Sequence, residues 1–249
     1  MRAMLGSGAT LIVLVLVTWA LVAPTWRVRA LRVTGTSDPQ LVGAIRGLPL
    51  LGCDAFRCDA ARDARLVERL PAVARAEVSV AFPSTLVVHV TPRVPVLVWR
   101  LAGQGYLVGA DGVLIAPVST TSGGAGSALP VVDDPTGAAL VGVPARPGSR
   151  LAPSLVGVAA QLLRDLPDVL GRSFALGYDA DAGLVADDGH GLRAAFGDPT
   201  RPPADTPGGV AGQVAELRAI LAMLNQQGLQ AEWIDLRWGL HPSYRLMGT

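Results

Sequence analysis

One uninterrupted apolar segment near the start of the chain differs from the alternating patterns that follow it. No charged residue occurs over residues 3–23, and the middle of this segment reads LIVLVLV. A helix of this length, at ~1.5 Å per residue, measures roughly 31 Å, which matches the ~30 Å hydrocarbon core of a bilayer. We predict a transmembrane anchor over residues 9–24, apolar from about residue 3, after a short cytoplasmic tail at 1–8.

A cleaved signal peptide is the competing interpretation of this segment. Cleavage after Ala23 would put Leu21 at the −3 position and Pro24 at +1, which is a poor small-residue cleavage site. A retained anchor is therefore favoured. The flanking charges leave its orientation open. Arg2 precedes the segment, and more arginines follow soon after it. By the positive-inside rule, this excess would place the large part of the chain in the cytoplasm.

Residues 28–93 combine the strand and helix periodicities of a small α+β module. Leu31 and Val33 alternate with polar or small residues, as in a half-buried strand, and Asp38 before Pro39 is typical of a helix start. The predicted elements are a strand near 30–34, a helix from Pro39, a helix from Asp59 to before Pro71, and strands near 76–82 and 86–90. Two helices packed across one face of a small sheet would form a compact unit.

From Pro95 to the end, the pattern is mainly that of strands. PVLVWR and YLVGADGVLI are predicted to form hairpin strands, with Asp111 and Gly112 as a tight turn. Other predicted elements are helices at about 153–170 and 210–227, short strands near 174–178, 183–187 and 192–196, flexible surface loops near 116–130 and 198–209, and an extended segment at 231–246. The apolar stripes of the two helices are Leu155, Ala159, Leu162 and Leu166, and Val214, Leu217, Leu221 and Leu224.

Composition argues against a nucleic-acid-binding protein. The formal net charge is +1, every basic residue other than histidine is arginine, and aromatic residues make up only 5% of the chain. The sequence therefore offers neither the basic face that nucleic acid requires nor the base-stacking platforms of single-strand binders.

The residues that could perform chemistry are scattered. His89, His190 and His241 are isolated, and no metal, nucleophile-elbow or phosphate-loop motif occurs. The DADAG run at 179–183 lacks the terminal glutamate of a calcium loop and is predicted to be a polar strand connection. Asp133 and Asp134 are predicted to lie in a solvated turn. We predict no enzymatic activity, no cofactor, no metal and no small-molecule substrate.

Several runs, in order and spacing, resemble one protein family. They are VRALRVTG, LLGCDAFRCD, ERLPAVARAEVSVAFPSTLVVHVTPRVPVLVW, GYLVGADGVLI and WIDLRW. The most specific stretch is LP-x-V-x-x-A-x-V, FP-x-TL-x-V-x-V and R-x-P-V over residues 70–96. Together they resemble the bacterial cell-division family FtsQ (DivIB). The resemblance implies an α+β chain in which an N-terminal transmembrane helix precedes a POTRA domain (βααββ) at 28–94. A mainly β domain with two flanking helices would follow at 95–249.

The same resemblance implies a function and a location. It predicts a divisome scaffold in the cell membrane, with a cytoplasmic N-terminus and an extracytoplasmic bulk, enriched at the division septum. Its implied partners are FtsB-like and FtsL-like single-pass proteins, and its implied role is to help regulate septal peptidoglycan synthesis. Two alternatives are an anchored extracytoplasmic enzyme and a POTRA-containing protein of polypeptide transport. The latter would be expected to carry repeated POTRA modules or a barrel of alternating strands.

Cys53 and Cys58 are the only cysteines of the chain. Metal binding would need two more soft ligands, and no nearby histidine supplies them. Two interpretations follow. An extracytoplasmic location favours a local disulfide, whereas apolar residues near Phe56 and Cys58 in the family pattern favour a buried thiol. We predict the disulfide on the grounds of compartment.

The last strand, near 241–246, is the predicted partner surface. Pro242 cannot donate a ladder hydrogen bond and is tolerated mainly at a sheet edge. The residues beside it include an aromatic residue and an arginine, the types that most often dominate interface energetics. The candidate residues are Trp238, Ser243, Tyr244, Arg245 and Leu246. The alternative is an edge that is merely protected by its own charges.

Overall fold

The structure is a computed structural model that describes residues 26–118, 129–140, 142–171, 173–201, 208–239 and 241–247. The predicted tail at 1–8 and anchor at 9–24 lie outside the described residues, as do 119–128 and 202–207 of the two predicted loops. Among the helices that are described, none is both long enough and apolar enough to cross a membrane. The chain divides after Arg93 into two compact units. We call them the N-terminal unit, described over 26–93, and the C-terminal unit, which begins at Val94.

The described part of the N-terminal unit is a three-stranded sheet with two helices. Its elements are β1 (Ala30–Thr34), α1 (Pro39–Arg46), α2 (Ala60–Glu68), β2 (Val73–Ala81) and β3 (Thr85–Pro92). The order of strands and helices is the predicted one. Strand β3 is central, parallel to β1 and antiparallel to β2.

Both helices of this unit begin at the aspartates that the sequence pattern indicates. The Asp38 carboxylate accepts the backbone N–H of Gln40 at 2.9 Å, and Pro39 occupies the first turn of α1. The Asp59 carboxylate accepts the N–H of Arg62 at 2.9 Å. Each bond satisfies a donor that a helix start leaves without an intrahelical partner, so these boundaries are set locally.

The core of the N-terminal unit lies between the helices and the sheet. Ile45 of α1 and Val67 of α2 are fully buried, together with Leu86 and Val88 of β3. The predicted apolar residues Leu66 and Leu70 also pack against this core, but each stays partly exposed. Val67 therefore occupies the central contact of α2.

The described part of the C-terminal unit contains one nine-stranded sheet. Its strands are β4 (Pro95–Leu101), β5 (Gln104–Gly109), β6 (Leu114–Pro117), β7 (Val131–Asp134), β8 (Ala175–Asp179), β9 (Gly183–Asp187), β10 (Arg193–Gly197), β11 (Ala231–Asp235) and β12 (Ser243–Leu246). Their order is β12-β11-β10-β9-β8-β7-β4-β5-β6. Strand β7 runs parallel to both of its neighbours, β4 and β8, and β11 runs parallel to β10. The other neighbours are antiparallel.

The predicted tight turn between β5 and β6 is confirmed. The N–H of Gly112 donates to the Gly109 carbonyl at 2.9 Å, and Gly112 has a φ of 82°. A β-carbon at this position would lie 2.1 Å from the carbonyl oxygen of Leu151. Glycine is required here both for the left-handed backbone and for the close approach of a second chain segment.

The described helices of this unit share one core with the sheet. They are α3 (Pro153–Asp165), α4 (Pro167–Leu170) and α5 (Gly209–Gln226). The predicted α3 stripe of Leu155, Ala159, Leu162 and Leu166 is buried as expected. The single helix predicted at 153–170 is wrong, since α3 ends before Leu166 and α4 begins at Pro167. Proline lacks the N–H that would continue the ladder of α3.

The stripe of α5 differs in one residue from the predicted one. Val214, Leu217 and Leu224 are buried as predicted. Leu221 is only partly buried, and Ile220 is buried beside this stripe. The apolar face of α5 is therefore rotated slightly from the predicted one.

The pair Asp133 and Asp134 is not a solvated turn. Asp134 ends β7 and is fully buried, and its carboxylate accepts the N–H groups of Ala138 and Ala139, each at 2.9 Å. Asp133 instead pairs with Arg100 of β4 at 2.6 Å on the sheet surface. A buried carboxylate is tolerated when backbone donors satisfy it, so Asp134 organises the turn after β7.

Candidate interaction edge

Strand β12 lies at one end of the sheet and is the location of most of the predicted interaction residues. Among the described strands it pairs with β11 alone, antiparallel, with Tyr244 opposite Ile234 and Ser243 opposite Asp235. The prediction of one extended segment at 231–246 is wrong, because a turn at 237–239 folds β12 back onto β11. The edge is thus the outer strand of a hairpin.

Half of the backbone groups of β12 point away from β11. The N–H of Met247 donates to the Gln230 carbonyl at 2.8 Å, which directs that group toward the sheet. Because backbone groups alternate along a strand, the N–H and C=O groups of Tyr244 and Leu246 face outward. No other described strand pairs with these groups.

The side chains of β12 divide between the two faces of the sheet. Tyr244 and Leu246 lie on the same face as the buried Ile234 and Ala231. Leu246 packs partly against the core, whereas Tyr244 is 46% exposed. The Tyr244 ring therefore presents an aromatic surface at the rim of the core.

Ser243 and Arg245 occupy the opposite face. The guanidinium of Arg245 lies 3.3 Å from the carboxylate of Glu232, and both side chains are largely open to solvent. Such a surface pair contributes about 0–1 kcal/mol. On the same face, the Arg193 guanidinium lies 5.3 Å from the ring centroid of Trp233. This face combines arginine and aromatic groups, the types that are enriched at protein interfaces.

A charged clamp that the sequence did not predict holds the hairpin turn. Arg237 Nε and Nη2 donate to the two carboxylate oxygens of Asp235, at 2.9 and 2.7 Å. Arg237 Nη1 also donates to the Asp181 carbonyl at 3.1 Å. Burial raises the pKa of Asp235, but the hydrogen bonds and charge of Arg237 outweigh it and hold that pKa below its ordinary value. The sequence feature that could have indicated this ion pair is the position of Asp235 two residues before Arg237.

Trp238 lies in the turn and not within a buried strand. In the sequence, Ile234, Leu236 and Trp238 alternate with Trp233, Asp235 and Arg237, a pattern that predicts one buried face of a strand, and Ile234 and Leu236 are fully buried. Trp238 itself is 55% exposed, and the Arg237 guanidinium lies 5.9 Å from its ring centroid. The alternation is therefore wrong at this position, although an exposed tryptophan beside β12 suits the predicted role.

In the N-terminal unit, Cys53 and Cys58 are joined by a disulfide. Their Sγ atoms are 1.96 Å apart and their Cα atoms 5.4 Å apart. The closed loop carries Ala55, which is buried, and Phe56, which is exposed. The loop is bonded to the start of the described chain, because the N–H of Ala55 donates to the Trp26 carbonyl at 2.8 Å.

Two further observations concern the polar groups of the described residues. Within the described ranges, no group of three His, Cys, Asp or Glu side chains is placed to hold a metal ion. The hydroxyl of the buried Tyr178 donates to the Asp198 carboxylate at 2.7 Å. Burial, with this bond, raises the pKa of Tyr178 far above its ordinary value, so the hydroxyl stays protonated. The pair ties β8 to the turn that follows β10.

Comparison with known proteins yields three relevant relatives, and no protein-family model matches the chain. The chain is 27% identical over 241 residues to a protein named cell division protein FtsQ from Chloroflexus aggregans, covering 96% of this chain and 81% of the relative. It is 24% identical over 228 residues to the protein of that name from Chloroflexus aurantiacus, covering 91% and 76%. A third FtsQ, from Streptomyces bingchenggensis, is 35% identical over 119 residues, or 47% of this chain and 42% of the relative.

Proposed function

The chain resembles the FtsQ/DivIB family along nearly its whole length, and on that premise we propose that it is a non-enzymatic scaffold of the bacterial division machinery. It binds other single-pass division proteins at the septum and helps to regulate septal peptidoglycan synthesis. The observation that carries this proposal is the β12 edge, where outward-facing backbone groups lie beside the exposed side chain of Tyr244.

Residues 9–24 anchor the protein in the cell membrane, with the N-terminus in the cytoplasm and the bulk outside. The N-terminal unit serves as the POTRA domain predicted at 28–94, and the C-terminal unit serves as the β domain predicted at 95–249. The uncharged stretch over 3–23 supports the anchor. The Cys53–Cys58 disulfide supports the orientation, because disulfides persist in oxidising compartments.

Binding occurs by strand addition at β12. An extended segment of an FtsB-like partner pairs with the outward groups of Tyr244 and Leu246, and an FtsL-like protein is the other expected partner. Main-chain hydrogen bonds supply affinity in this mode, while side chains on alternate positions supply specificity. We expect Tyr244, Arg245 and Trp238 to contact the added segment because each is exposed at or beside β12, and Ser243 lies on the same strand.

Self-protection of the edge is the alternative role of these residues. Natural edges are blocked by several charges, by prolines or by bulges that twist the strand away. Within β12 only Arg245 is charged, and its partner Glu232 lies at the irregularity of β11 between Ala231 and Trp233. One exposed ion pair is weak protection. Pro242 precedes β12 and the irregularity lies in β11, so neither removes the outward-facing groups of Tyr244 and Leu246 that we propose for pairing.

The two other functional classes lack a supporting observation. An enzyme needs converging acid, base or nucleophile groups. A groove of about 590 Å³ beside β7 and β8 offers only Arg100, Asp133 and Ser173 among its apolar lining, and Arg100 and Asp133 pair with each other. For polypeptide transport, repeated POTRA modules would be expected, whereas the described residues contain a single βααββ arrangement.

Replacement of Tyr244 tests strand addition directly. Tyr244→Ala removes the ring and should weaken capture of an FtsB-like segment by about 30-fold, the effect of losing ~2 kcal/mol at an interface anchor. Tyr244→Pro also removes an outward N–H and should weaken capture by a further factor of roughly 2–12, for one hydrogen bond of about 0.5–1.5 kcal/mol. Titration calorimetry with the full chain in nanodiscs measures both.

A control variant and a deletion test whether the effect is specific to the β12 edge. Val143→Ala, at an exposed position of the C-terminal unit outside the β11–β12 hairpin, should leave capture unchanged. Deletion of residues 241–249 should weaken capture strongly, and it should also lower the melting temperature because the β11–β12 pairing and the core contact of Leu246 are lost. Unaltered binding by the deletion would move the interface elsewhere, most plainly to the sheet of the N-terminal unit.

Localisation and topology test the cellular role. A fluorescent fusion should form rings at midcell during division, and uniform membrane signal would count against a divisome scaffold. Protease added to spheroplasts should digest the large domains and spare a tag placed before Arg2. A protected large domain would overturn both the orientation and the division role.

A further inference from the structure

Three aromatic rings form an exposed cluster at one end of the N-terminal unit. The ring centroids of Trp26 and Phe56 are 5.3 Å apart, those of Phe56 and Phe82 are 5.1 Å apart, and those of Trp26 and Phe82 are 6.3 Å apart. Phe56 is 54% exposed and Phe82 is 59% exposed. We call these three residues the aromatic cluster. Contacts among its own rings do not bury it, so it presents a hydrophobic surface to its surroundings.

The fold brings these rings together from three separate segments. Trp26 begins the described chain, Phe56 lies in the disulfide loop, and Phe82 lies in the turn between β2 and β3. The N–H of Val28 donates to the Cys53 carbonyl at 2.9 Å, which attaches the loop to the first segment. The N–H of Arg29 donates to Ser84 at 2.9 Å, which attaches the turn. The cluster is therefore a defined feature of the fold.

The position of Trp26 in the sequence limits where the cluster can lie. Trp26 lies two positions after Pro24, the end of the proposed anchor, and two residues of chain span at most ~7 Å. If residues 9–24 occupy the hydrocarbon core, Trp26 lies in the headgroup region of the bilayer, where tryptophan is enriched. Phe56 and Phe82 are then held at the same level by their contacts with its ring.

The charges around the cluster suit the same environment. Arg27 and Arg57, each adjacent in sequence to a ring of the cluster, are exposed. The carboxylates that lie closest to Arg57 in the sequence, those of Asp54 and Asp59, accept the backbone N–H groups of Phe56 and Arg62. Arginine beside aromatic residues can reach lipid phosphates while the rings enter the acyl boundary.

We propose that the aromatic cluster inserts into the headgroup–acyl interface of the membrane, with Arg27 and Arg57 on the phosphates of anionic phospholipids. This inference rests on the proposed membrane anchor. It adds a second contact with the bilayer, and that contact fixes the N-terminal unit at the membrane surface. The disulfide contributes by holding Phe56 beside Trp26.

Photo-crosslinking in vesicles tests the contact. The full chain is reconstituted into phosphatidylcholine vesicles with and without phosphatidylglycerol, carrying p-benzoylphenylalanine in place of Phe56 or of Phe82. Mass spectrometry should find lipid adducts at both positions, several-fold above those of the same photoprobe in place of Val143, which is 49% exposed in the C-terminal unit. Phosphatidylglycerol should increase the adducts, and Arg57→Gln combined with Arg27→Gln should remove that increase.

Flotation of the same samples separates the two hypotheses. Chains that float with the vesicles but give no more lipid adduct at Phe56 and Phe82 than at Val143 would overturn the cluster's membrane contact and leave the anchor intact. Chains that do not float would overturn the anchor and the contact together. Crosslinking in cells to one discrete protein, without lipid adducts in vesicles, would assign the cluster to a protein partner and overturn the proposal.

Discussion

The aromatic cluster and the β12 edge both expose aromatic rings, yet the backbone beside the rings differs. Around the cluster, the backbone is bonded within the unit, as in the bonds from Ala55 to Trp26 and from Val28 to Cys53. At β12, the outward groups of Tyr244 and Leu246 have no neighbouring strand among the described residues. Rings on a paired backbone suit a partner without directional hydrogen bonds, such as a lipid interface. An unpaired strand suits a polypeptide.

The two regions also differ in what holds them. The cluster is attached through a covalent link and through hydrogen bonds to two neighbouring segments. The hairpin of β12 is held by its ladder to β11 and by the Asp235–Arg237 clamp, both of which are noncovalent. We therefore expect the cluster to respond to redox conditions and the edge to respond to acid.

We expect the largest effects from substitutions in the two cores, and each substitution should impair only the region of its own unit. Leu162 is fully buried in the C-terminal unit, and Ile45 is fully buried in the N-terminal unit. Leu162→Ala and Ile45→Ala should each reduce the free energy of unfolding by about 2–5 kcal/mol. Under mild denaturant, Leu162→Ala should abolish capture at β12 and preserve lipid adducts at Phe56, and Ile45→Ala should do the reverse. Loss of both activities in either variant would show that the units do not fold independently.

Removal of the disulfide should affect the cluster alone, with a moderate effect. Cys53→Ser with Cys58→Ser should reduce the free energy of unfolding of the N-terminal unit by about 2 kcal/mol, as expected for so short a loop. Lipid adducts should fall at Phe56 more than at Phe82, while capture by β12 stays constant. Alkylation of unreduced protein, followed by mass spectrometry, checks the starting state. Two freely alkylated thiols would restore the buried-thiol interpretation.

We expect the smallest of these effects from acid, which should destabilise the hairpin that carries the β12 edge. The folded state holds the pKa of Asp235 below its ordinary value, so the carboxylate stabilises the fold above the unfolded pKa of ~3.9. This contribution is lost as the pH falls below about 4. Asp235→Asn should reduce the free energy of unfolding by about 1–2 kcal/mol at neutral pH and flatten its dependence on pH below 4. A parallel acid dependence in the variant and the parent would exclude the clamp as its cause.

Local chemistry made much of the fold predictable. The helix starts at Asp38 and Asp59 and the turn at Gly112 each depend on bonds within a few residues, and the structure has them where the sequence places them. The position of β12 at an edge was likewise predictable from Pro242. A sheet with a paired strand on both sides would leave a proline without its ladder bond.

Distant contacts decided what could not be predicted. Arg237 clamps Asp235 locally, but its bond to the Asp181 carbonyl joins residues that lie far apart in the sequence. Likewise, nothing near Asp134 in the pattern indicates full burial, because that depends on the packing of the strands on either side of β7. A polar residue and the donors that satisfy it must first be brought together by the fold.

The sequence by itself determined the apolar segment at 3–23, the caps and turns, the buried stripes of α3 and most of α5, and the family resemblance. Each of these depends on residue type and on short spacing along one chain segment. Only the tertiary structure decided that the rings of Trp26, Phe56 and Phe82 contact one another. It also decided that Trp238 is exposed, unlike Ile234 and Leu236, and that the last segment folds back as a hairpin. These outcomes depend on which distant segments pack together, because burial and exposure are properties of the assembled surface.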